Sequence, residues 1–585
     1  MINTIDEKIP NPKEIEREIG EFLHKRFGGA IKIVTPTVAA QETAMGHAPS
    51  ADIPAQKINF DIKPEELIAY LDQYIIKQDK AKAVLSTKIC THFNRIKHLK
   101  LNDTAQPNFV GNVKSNILML GPTGVGKTYM VKLIAKKIGV PFVKADATKF
   151  TETGYVGGDV EDLIRDLVRE ANDDIELAQY GIIYLDEIDK IASSHHIVGA
   201  DISRTGVQRA LLKPMEETDV ELRVPHDPIS MIQEIERYQK TGKRDKRIVN
   251  TAHILFIMSG AFEGITDIIK KRVTKQPIGF GSMISSNTQD KYQFLKQVRT
   301  EDLVEFGFES EFIGRLPVKT VFEKLTEDDF FEILISPNNP LILGKKLDFA
   351  AYSIDIKFDD PVLRYFAEKA FKENTGARGL VSVIEESLLL FEKRLPSLDI
   401  SVFPATLAII TDSEKQLLAI ENQETKELWE SEFQKILEIE KDRIRSYVKA
   451  HWDRLTSKYA LSHSDNRIEL IADYYSRNIT DIEQAVAKIK IYYGEVKKIE
   501  KYFLNTHELS LLFDEDAIDF LIEQFVHHDI ELEDIVHKLE TDFEYGLKLI
   551  RDKTGKNRFF ISRESLIDSN AYLNRLIKEE YQAIA

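Results

Sequence analysis

Short, continuous apolar runs alternate along residues 63–325 with longer stretches in which apolar residues recur every three or four positions. Buried parallel strands have such runs, because helices cover both faces of their sheet. Helical stretches such as 127–138 and 159–171 separate the runs, so the pattern predicts a doubly wound α/β unit with a parallel sheet. The three clearest runs are SNILMLG (115–121), GIIYLDE (181–187) and HILFIMSG (253–260).

The pattern changes several times along the chain and predicts a modular organisation. A short amphipathic helix and a strand are expected near the N-terminus, followed by an Ala-, Pro- and Thr-rich stretch without periodicity, which is typical of a linker. The predicted segments are an N-terminal accessory segment (1–34), a linker (35–57), the large α/β unit (58–325), a small mainly helical unit (326–412), a helical extension (413–507) and a C-terminal segment (508–585).

Two stretches are similar at a constant offset of 155 positions. They are IDIKFDDPVLRYFAEKAF (354–371) and LSLLFDEDAIDFLIEQFV (509–526). We interpret 508–568 as a degenerate second copy of the small helical unit; the alternative is that two amphipathic helices match by composition alone. In the extension between the two copies, Thr480 and Glu483 have the spacing of a capping box and predict a helix start.

One loop has the sequence of a phosphate-binding site. It follows a predicted strand and precedes a predicted helix, the context that the pattern G-x-x-x-x-G-K-[ST] requires. Its glycines allow backbone N–H groups to surround a phosphate, the lysine would reach the β- and γ-phosphates of ATP, and the final hydroxyl would bind Mg²⁺. The loop consists of Gly121, Pro122, Thr123, Gly124, Val125, Gly126, Lys127 and Thr128.

Two acidic residues follow the second apolar run and complete the predicted ATP-hydrolysing site. Asp186 would hold Mg²⁺, and Glu187 would activate or orient the attacking water as a general base. Carboxylates are also common at solvated strand ends. The phosphate-binding loop upstream is what favours a catalytic role for this pair.

These motifs resemble the ClpX and HslU branch of AAA+ protein unfoldases over residues 63–412. The resemblance rests further on YIIKQDKAK (74–82), ILFIMSGAF (254–262), EFIGRLP (311–317) and GARGL (376–380). It implies a P-loop AAA+ fold with a small helical lid, ATP and Mg²⁺ as cofactors, and a homo-hexameric ring. It also implies that Ile75 and Ile76 pack on adenine, that Ser259 is sensor 1, that Arg315 reaches ATP bound in the neighbouring subunit, and that Arg378 contacts the phosphates of its own subunit.

Two further loops match motifs of the same branch. Gly154, Tyr155, Val156 and Gly157 resemble the pore loop that grips protein substrates, and the alternative is an aromatic residue that anchors a loop. Ile278, Gly279 and Phe280 resemble the loop by which ClpX docks on its peptidase, and the alternative is a loop folded onto its own subunit. The resemblance therefore implies a ClpP-like peptidase as a partner.

Composition narrows the function classes. A net charge of −16 argues against a nucleic-acid or anionic-membrane partner. A single cysteine, Cys90, cannot form an internal disulfide or the zinc module found at the N-terminus of some ring unfoldases. The sequence has no apolar run of about 20 residues, so we expect no membrane span. We expect a cytoplasmic location. A stand-alone remodelling chaperone and, from another class, a nucleic-acid motor or clamp loader stay open as alternatives.

Overall fold

The computed structural model describes residues 58–101, 114–151, 158–192, 202–222, 247–274, 291–421, 426–456, 459, 461–528 and 530–582. Contacts divide these residues into two units. The first contains the described parts of 58–67, 80–120 and 127–321, and the second contains 68–79, 121–126 and the described part of 322–585. No helix within these ranges is both long and apolar enough to cross a bilayer.

Five parallel strands form the central sheet among the described residues. Their spatial order is β2 (Phe142–Asp146), β3 (Ile182–Asp186), β6 (Leu255–Gly260), β1 (Ile117–Leu120) and β7 (Val318–Val321). The three predicted apolar runs became β1, β3 and β6, which are almost fully buried. The expectation of an α/β fold with a parallel sheet is therefore confirmed. Two further short strands of this unit are β4 Asp219–Glu221 and β5 Ile248–Asn250.

Helices follow most of these strands, as a doubly wound arrangement requires. Their apolar sides pack on the sheet, and the pair β4–β5 is antiparallel and separate from it. The helices are α1 Pro64–Leu71, α2 Asp79–Leu101, α3 Lys127–Ile138, α4 Asp162–Glu170, α5 Ile175–Ala178, α6 Ile202–Met215, α7 Ile265–Thr274, α8 Lys291–Leu295, α9 Thr300–Phe306 and α10 Ser310–Gly314, with 3₁₀ turns at Ala147–Lys149 and Ile188–Ile191.

Strand register brings the polar strand ends to one edge of the sheet. Asp146 of β2 lies beside Asp186 of β3, and Ser259 of β6 lies beside Met119 of β1. Carboxyl ends of parallel strands are where α/β sheets bind ligands. The sheet therefore positions the candidate site.

In its described residues, the second unit contains two small parallel sheets surrounded by helices. Strands β8 Asp355–Phe358 and β9 Val402–Ala405 form one pair, and β10 Ser510–Phe513 and β11 Arg558–Ile561 form the other. Its helices are α11 Glu327–Ile335, α12 Pro340–Ala350, α13 Asp360–Lys372, α14 Arg378–Arg394, α15 Leu407–Thr411, α16 Ser413–Glu421, α17 Lys426–Ala450, α18 Trp452–Thr456, α19 Asp465–Arg477, α20 Ile482–His507, α21 Glu515–His528, α22 Leu532–Leu539, α23 Tyr545–Thr554, α24 Arg563–Ile567 and α25 Ser569–Gln582, with a 3₁₀ turn at Leu395–Ser397 and a π-helical turn at Glu540–Glu544.

The extension is helical, and its helix α17 packs on β8 and β9. Helix α17 contacts both strands, and Trp429 lies 5.4 Å from the ring of Phe403 between centroids. The start of α20 differs from the predicted capping box. Asp481 is the N-cap, and its carboxylate accepts a hydrogen bond from the Gln484 N–H at 2.8 Å. A carboxylate at the N-cap satisfies an otherwise unpaired helix N–H.

Candidate nucleotide-binding site

Backbone conformation accounts for the glycines of the phosphate-binding loop. Gly121, Gly124 and Gly126 have φ angles of +150°, +71° and +90°. A Cβ atom on Gly124 would lie 2.5 Å from the Thr375 carbonyl oxygen, and one on Gly121 would lie 2.8 Å from Phe322. Glycine is therefore required at Gly121 and Gly124 for both conformation and space.

Within the second unit this loop packs on the segment that precedes Arg378. The Ala377 N–H donates to the Gly124 carbonyl at 2.8 Å, and Gly376 has a φ of +69°. A Cβ on Gly376 would lie 2.6 Å from the Thr123 carbonyl oxygen. Arg378 is the first residue of α14, directly after this contact. The hydrogen bond between Ala377 and Gly124 therefore brings the start of α14, where the predicted phosphate-binding arginine lies, next to the predicted phosphate loop.

The segment predicted to pack on adenine is fixed to the same framework. Ile75 is buried and Ile76 is half-buried. The Gln78 side-chain amide donates to the Glu323 carbonyl at 2.9 Å and accepts from its N–H at 2.8 Å. Residue 323 directly follows Phe322, which Gly121 approaches. The segment 75–78 and the glycine loop therefore share one anchor in the second unit.

A hydrogen-bonded polar cluster lies at the sheet edge in the first unit. The Ser259 hydroxyl donates to Asp186 Oδ1 at 2.6 Å and lies 2.6 Å from the Tyr184 hydroxyl. Thr128 Oγ1 lies 3.1 Å from that tyrosine oxygen and 3.4 Å from Asp186 Oδ2. The structure therefore brings together Thr128, Asp186 and Ser259, and adds Tyr184 at their centre.

Asp186 stays ionised in this cluster. Burial on its own would raise the pKa of Asp186, but the hydrogen bonds from Ser259 and from the Glu187 N–H, together with the charges of Lys144 and Lys127, outweigh it. The pKa consequently lies below its usual value. An ionised carboxylate beside a hydroxyl offers the hard oxygen ligands that Mg²⁺ prefers. Thr128 and Asp186 therefore fit a magnesium ion.

Glu187 has a strained backbone. Its φ of +55° and ψ of +33° lie in the left-handed region, which costs a non-glycine residue about 1 kcal/mol. Its side chain is exposed at the end of β3. Backbone strain of this kind is typical of functional sites, where it fixes the direction of a side chain.

Sequence reasoning missed three residues of this site: Tyr184, Lys144 and Asp189. Lys144 Nζ lies 3.6 Å from Asp186 Oδ2. The buried carboxylate of Asp189 accepts from the Phe262 N–H at 3.3 Å and fixes the turn after β6. A signal existed for Tyr184, since a tyrosine in a fully buried strand needs a partner for its hydroxyl. The other two depend on neighbours distant in sequence.

Arg315 is placed apart from the polar cluster by its contacts in the first unit. It caps the short helix α10, is 47% exposed at the side chain, and forms an ion pair with Glu216. An exposed arginine on a surface is available to a neighbouring molecule. Among the described residues, no contact joins Arg315 to Asp186 or Ser259.

The remaining predicted positions lie outside the described residues. They are the pore-loop residues Gly154, Tyr155, Val156 and Gly157 and the docking-loop residues Ile278, Gly279 and Phe280. Their roles stay predictions.

Comparison with known proteins places the chain in a family. Residues 112–319 match the model of the AAA domain (Cdc48 subfamily), and residues 343–390 match that of the C-terminal D2-small domain of ClpB protein. The chain is 41% identical over 329 residues to the ATP-dependent Clp protease ATP-binding subunit ClpX of Treponema denticola. The aligned region covers 56% of this chain and 75% of that protein. The protein of the same name from Borrelia duttonii is 41% identical over 333 residues, covering 56% of this chain and 74% of the relative.

Proposed function

The chain belongs to the ClpX family of AAA+ ATPases, and on that premise we propose that it is an ATP-dependent protein unfoldase working as a homo-hexameric ring. The observation that carries the proposal is the polar cluster at the sheet edge, in which Ser259 holds an ionised Asp186 beside Thr128. This arrangement suits ATP hydrolysis, because Thr128 ends the glycine loop, Asp186 ends β3 and Ser259 lies in the neighbouring strand β6.

Each predicted residue has a physical task in hydrolysis. Lys127 attracts the β- and γ-phosphates, and Glu187 orients the attacking water. Mg²⁺ bound with ATP would neutralise charge on the phosphate oxygens. Arg378 in the same subunit and Arg315 from a neighbour would stabilise the charge that develops on the γ-phosphate, as guanidinium groups do through paired hydrogen bonds.

Hydrolysis would be converted into pulling by the pore loop. Tyr155 and Val156 would supply an apolar grip, and the glycine on either side of them in sequence would give that segment backbone freedom. An apolar grip holds protein chains of any sequence. Protein substrates are therefore proposed, and a nucleic-acid motor, which would need Lys and Arg along its channel, is the weaker alternative.

The proposed partner is a ClpP-like peptidase, docked through Ile278, Gly279 and Phe280. Exposed Ile and Phe on a loop are costly unless a partner covers them. A cytoplasmic location is proposed with it. The alternative is a stand-alone remodelling chaperone that has the same ATPase and leaves this loop idle. A pull-down with a ClpP-type ring separates the two: binding lost in Phe280→Ala supports the peptidase partnership, and absence of binding by the native chain supports the chaperone.

Unfolding itself is tested with the pore loop. Proteins captured by a Glu187→Gln ring in ATP are purified and offered to the native ring, and their unfolding is followed by hydrogen exchange. We expect Tyr155→Ala to keep its ATPase activity within about threefold while losing most unfolding, because the grip and the chemistry are separate. Undiminished unfolding by Tyr155→Ala would contradict the proposed grip.

A further inference from the structure

A buried amide side chain connects Arg315 to the central sheet. Asn116 is 1% exposed, and its Oδ1 accepts a hydrogen bond from the Phe256 N–H at 3.2 Å. Its Nδ2 donates to the carbonyls of Met215 at 3.3 Å and of Arg315 at 3.2 Å. One side chain therefore joins three segments that are distant in sequence, and all four residues lie in the first unit.

The segments that Asn116 joins lead to the candidate site on one side. Asn116 directly precedes β1, which ends immediately before Gly121. Phe256 belongs to β6, three residues before Ser259. Strands β1 and β6 each have a paired strand on both sides, and their residues hydrogen-bond alternately to one neighbour and the other, which stiffens both strands along their length. A displacement of these strand ends is thus transmitted to Asn116.

On the other side lies the end of α6 and the ion pair of Arg315. Carbonyls in the last turn of a helix lack partners within the helix. Here Lys114 Nζ donates to the carbonyl of Pro214 at 3.3 Å and to that of Glu216 at 2.5 Å, while Asn116 donates to Met215 between them. Glu216 in turn pairs with the Arg315 guanidinium. The residues before β1 therefore hold both the backbone and the side-chain partner of Arg315.

We propose that Asn116 is a positioning residue that fixes Arg315 to strands β1 and β6, so that the nucleotide state of one subunit sets where its arginine meets the neighbour. The inference rests on the proposed function. Asparagine suits this task because it supplies two donors and an acceptor on one short side chain. Removing it takes one hydrogen bond from each of three backbone groups, two of them in buried contacts, and the Arg315 carbonyl loses its bond to the residue before β1.

Mixed rings test this role, because they separate the subunit that hydrolyses ATP from the subunit that supplies the arginine. Glu187→Gln subunits serve as donors with an intact Arg315, and Arg315→Ala subunits serve as acceptors with an intact Glu187. Each is expected to be inactive alone, and their mixture is expected to regain ATPase activity. If the mixture regains none, the proposed arginine in trans fails, whatever the role of Asn116.

The position of Asn116→Ala within the mixture is decisive. Added to the donor, it should lower the regained ATPase activity about 10-fold or more, because an arginine displaced by about 1 Å loses much of its effect. Added to the acceptor, whose Arg315 is already absent, it should change the activity by less than about threefold. A purely structural role would affect the acceptor at least as strongly, because β1 leads into the acceptor's own phosphate loop. Equal or larger loss in the acceptor overturns the proposal.

A matched amide controls for lost stability. Asn338 is 3% exposed and accepts from the Ile482 N–H at 3.0 Å. It belongs to the second unit, whereas Arg315 belongs to the first. Asn338→Ala in the donor should lower the unfolding temperature to a similar degree and leave complementation intact. Loss of complementation with Asn338→Ala equal to that with Asn116→Ala would also overturn the proposal.

Discussion

Two modules of the second unit repeat one order of elements, strand–helix–helix–strand–helix–helix. The first module comprises β8, α13, α14, β9, α15 and α16, and the second comprises β10, α21, α22 with α23, β11, α24 and α25. Their sheets are both parallel and two-stranded. We therefore propose that the second module is a degenerate copy of the first.

Detailed hydrogen bonds repeat as well. Asp359 caps α13 by accepting from the Val362 N–H at 2.8 Å, and Asp514 caps α21 by accepting from the Ala517 N–H at 2.7 Å. At the second strand, Thr406 and Ser562 cap the following helices in the same way. Composition alone would not produce such matched caps.

The modules differ where a nucleotide would be contacted. The first places Gly376 and Ala377 against the phosphate loop and begins α14 with Arg378. At the corresponding turn the second has Glu531 as N-cap and an exposed Glu533 in the first helical turn. Carboxylates repel phosphate. If the proposed function holds, the difference means that a lid fold becomes part of an ATPase site through a few residues at one helix start.

The largest expected difference concerns these charged residues. Arg378→Ala should lower the ATP turnover number about 100-fold, because a guanidinium that stabilises transition-state charge is lost. Glu533→Ala, its counterpart, should change turnover less than twofold. Steady-state phosphate release measures both. The comparison breaks if Arg378→Ala keeps turnover within twofold, or if Glu533→Ala has the larger effect.

Two glycines with similar backbone angles give the next test. Gly376→Ala places a Cβ against the Thr123 backbone and should raise the KM for ATP about 10-fold by displacing the loop. Gly555, the C-cap of α23, has a φ of +73° and open space around its Cβ position. Gly555→Ala should cost about 1 kcal/mol of stability and leave the KM unchanged. An unchanged KM in Gly376→Ala would show that the loop contact is dispensable.

A buried charge in strand β8 gives a smaller expected difference, which concerns stability. Lys357 is 2% exposed, donates to the Ser476 carbonyl at 2.7 Å and pairs with Glu440 of α17 at 3.0 Å. Lys357→Met should destabilise the second unit by about 3 kcal/mol, because a buried carboxylate loses a partner. Leu512→Met, at the corresponding position of β10, should cost less than about 1.5 kcal/mol.

Tryptophan fluorescence reports on this unit alone, because the only two tryptophans of the chain are Trp429 and Trp452. Urea unfolding followed at this signal compares the two variants. Equal losses of stability in the two variants would contradict a special role for the ion pair.

The pH dependence of stability tests the same ion pair. Burial alone would raise the pKa of Glu440, but Lys346 and Lys357 lower it to about 2. Its contribution should therefore be present above pH 4.5 and be lost as the pH falls towards 2.

The smallest expected effects are two equal losses of stability, one in each module. Asp359→Ala and Asp514→Ala each remove one N-cap, and each should cost about 1 kcal/mol. The same fluorescence-detected unfolding measures both. A cost confined to one of them would weaken the proposal that the modules are copies.

The main sheet was predictable because β1, β3 and β6 are continuous apolar runs, and such runs are buried on both faces. Strand β2 was missed because it is a half-buried edge strand with a lysine in its centre. The glycine loop, Asp186 and Glu187 were predictable from local motifs. Lys144 and Asp189 were not, because their partners are determined by strand register.

The constant offset between the modules held only approximately. Strand β8 and β10 begin 155 residues apart, but α14 and α22 begin 154 apart, and β9 and β11 begin 156 apart. Arg378 therefore aligns with Leu532 by helix start and with Glu533 by the sequence offset, and neither residue is basic. The π-helical turn Glu540–Glu544 lies within the stretch where the offset changes. An inserted residue inside a helix changes the spacing of its apolar positions only slightly, so the sequence pattern did not reveal this change of offset.

The account claims one ATPase site per chain, despite two lid-like modules, and this is tested by comparing native protein with Glu187→Gln. Bound ATP per chain and the rate of phosphate release are measured on the same samples. We predict that both proteins bind at most one ATP per chain and that Glu187→Gln loses turnover by about 100-fold or more. Two ATP molecules per chain, or near-native turnover without Glu187, would contradict the account.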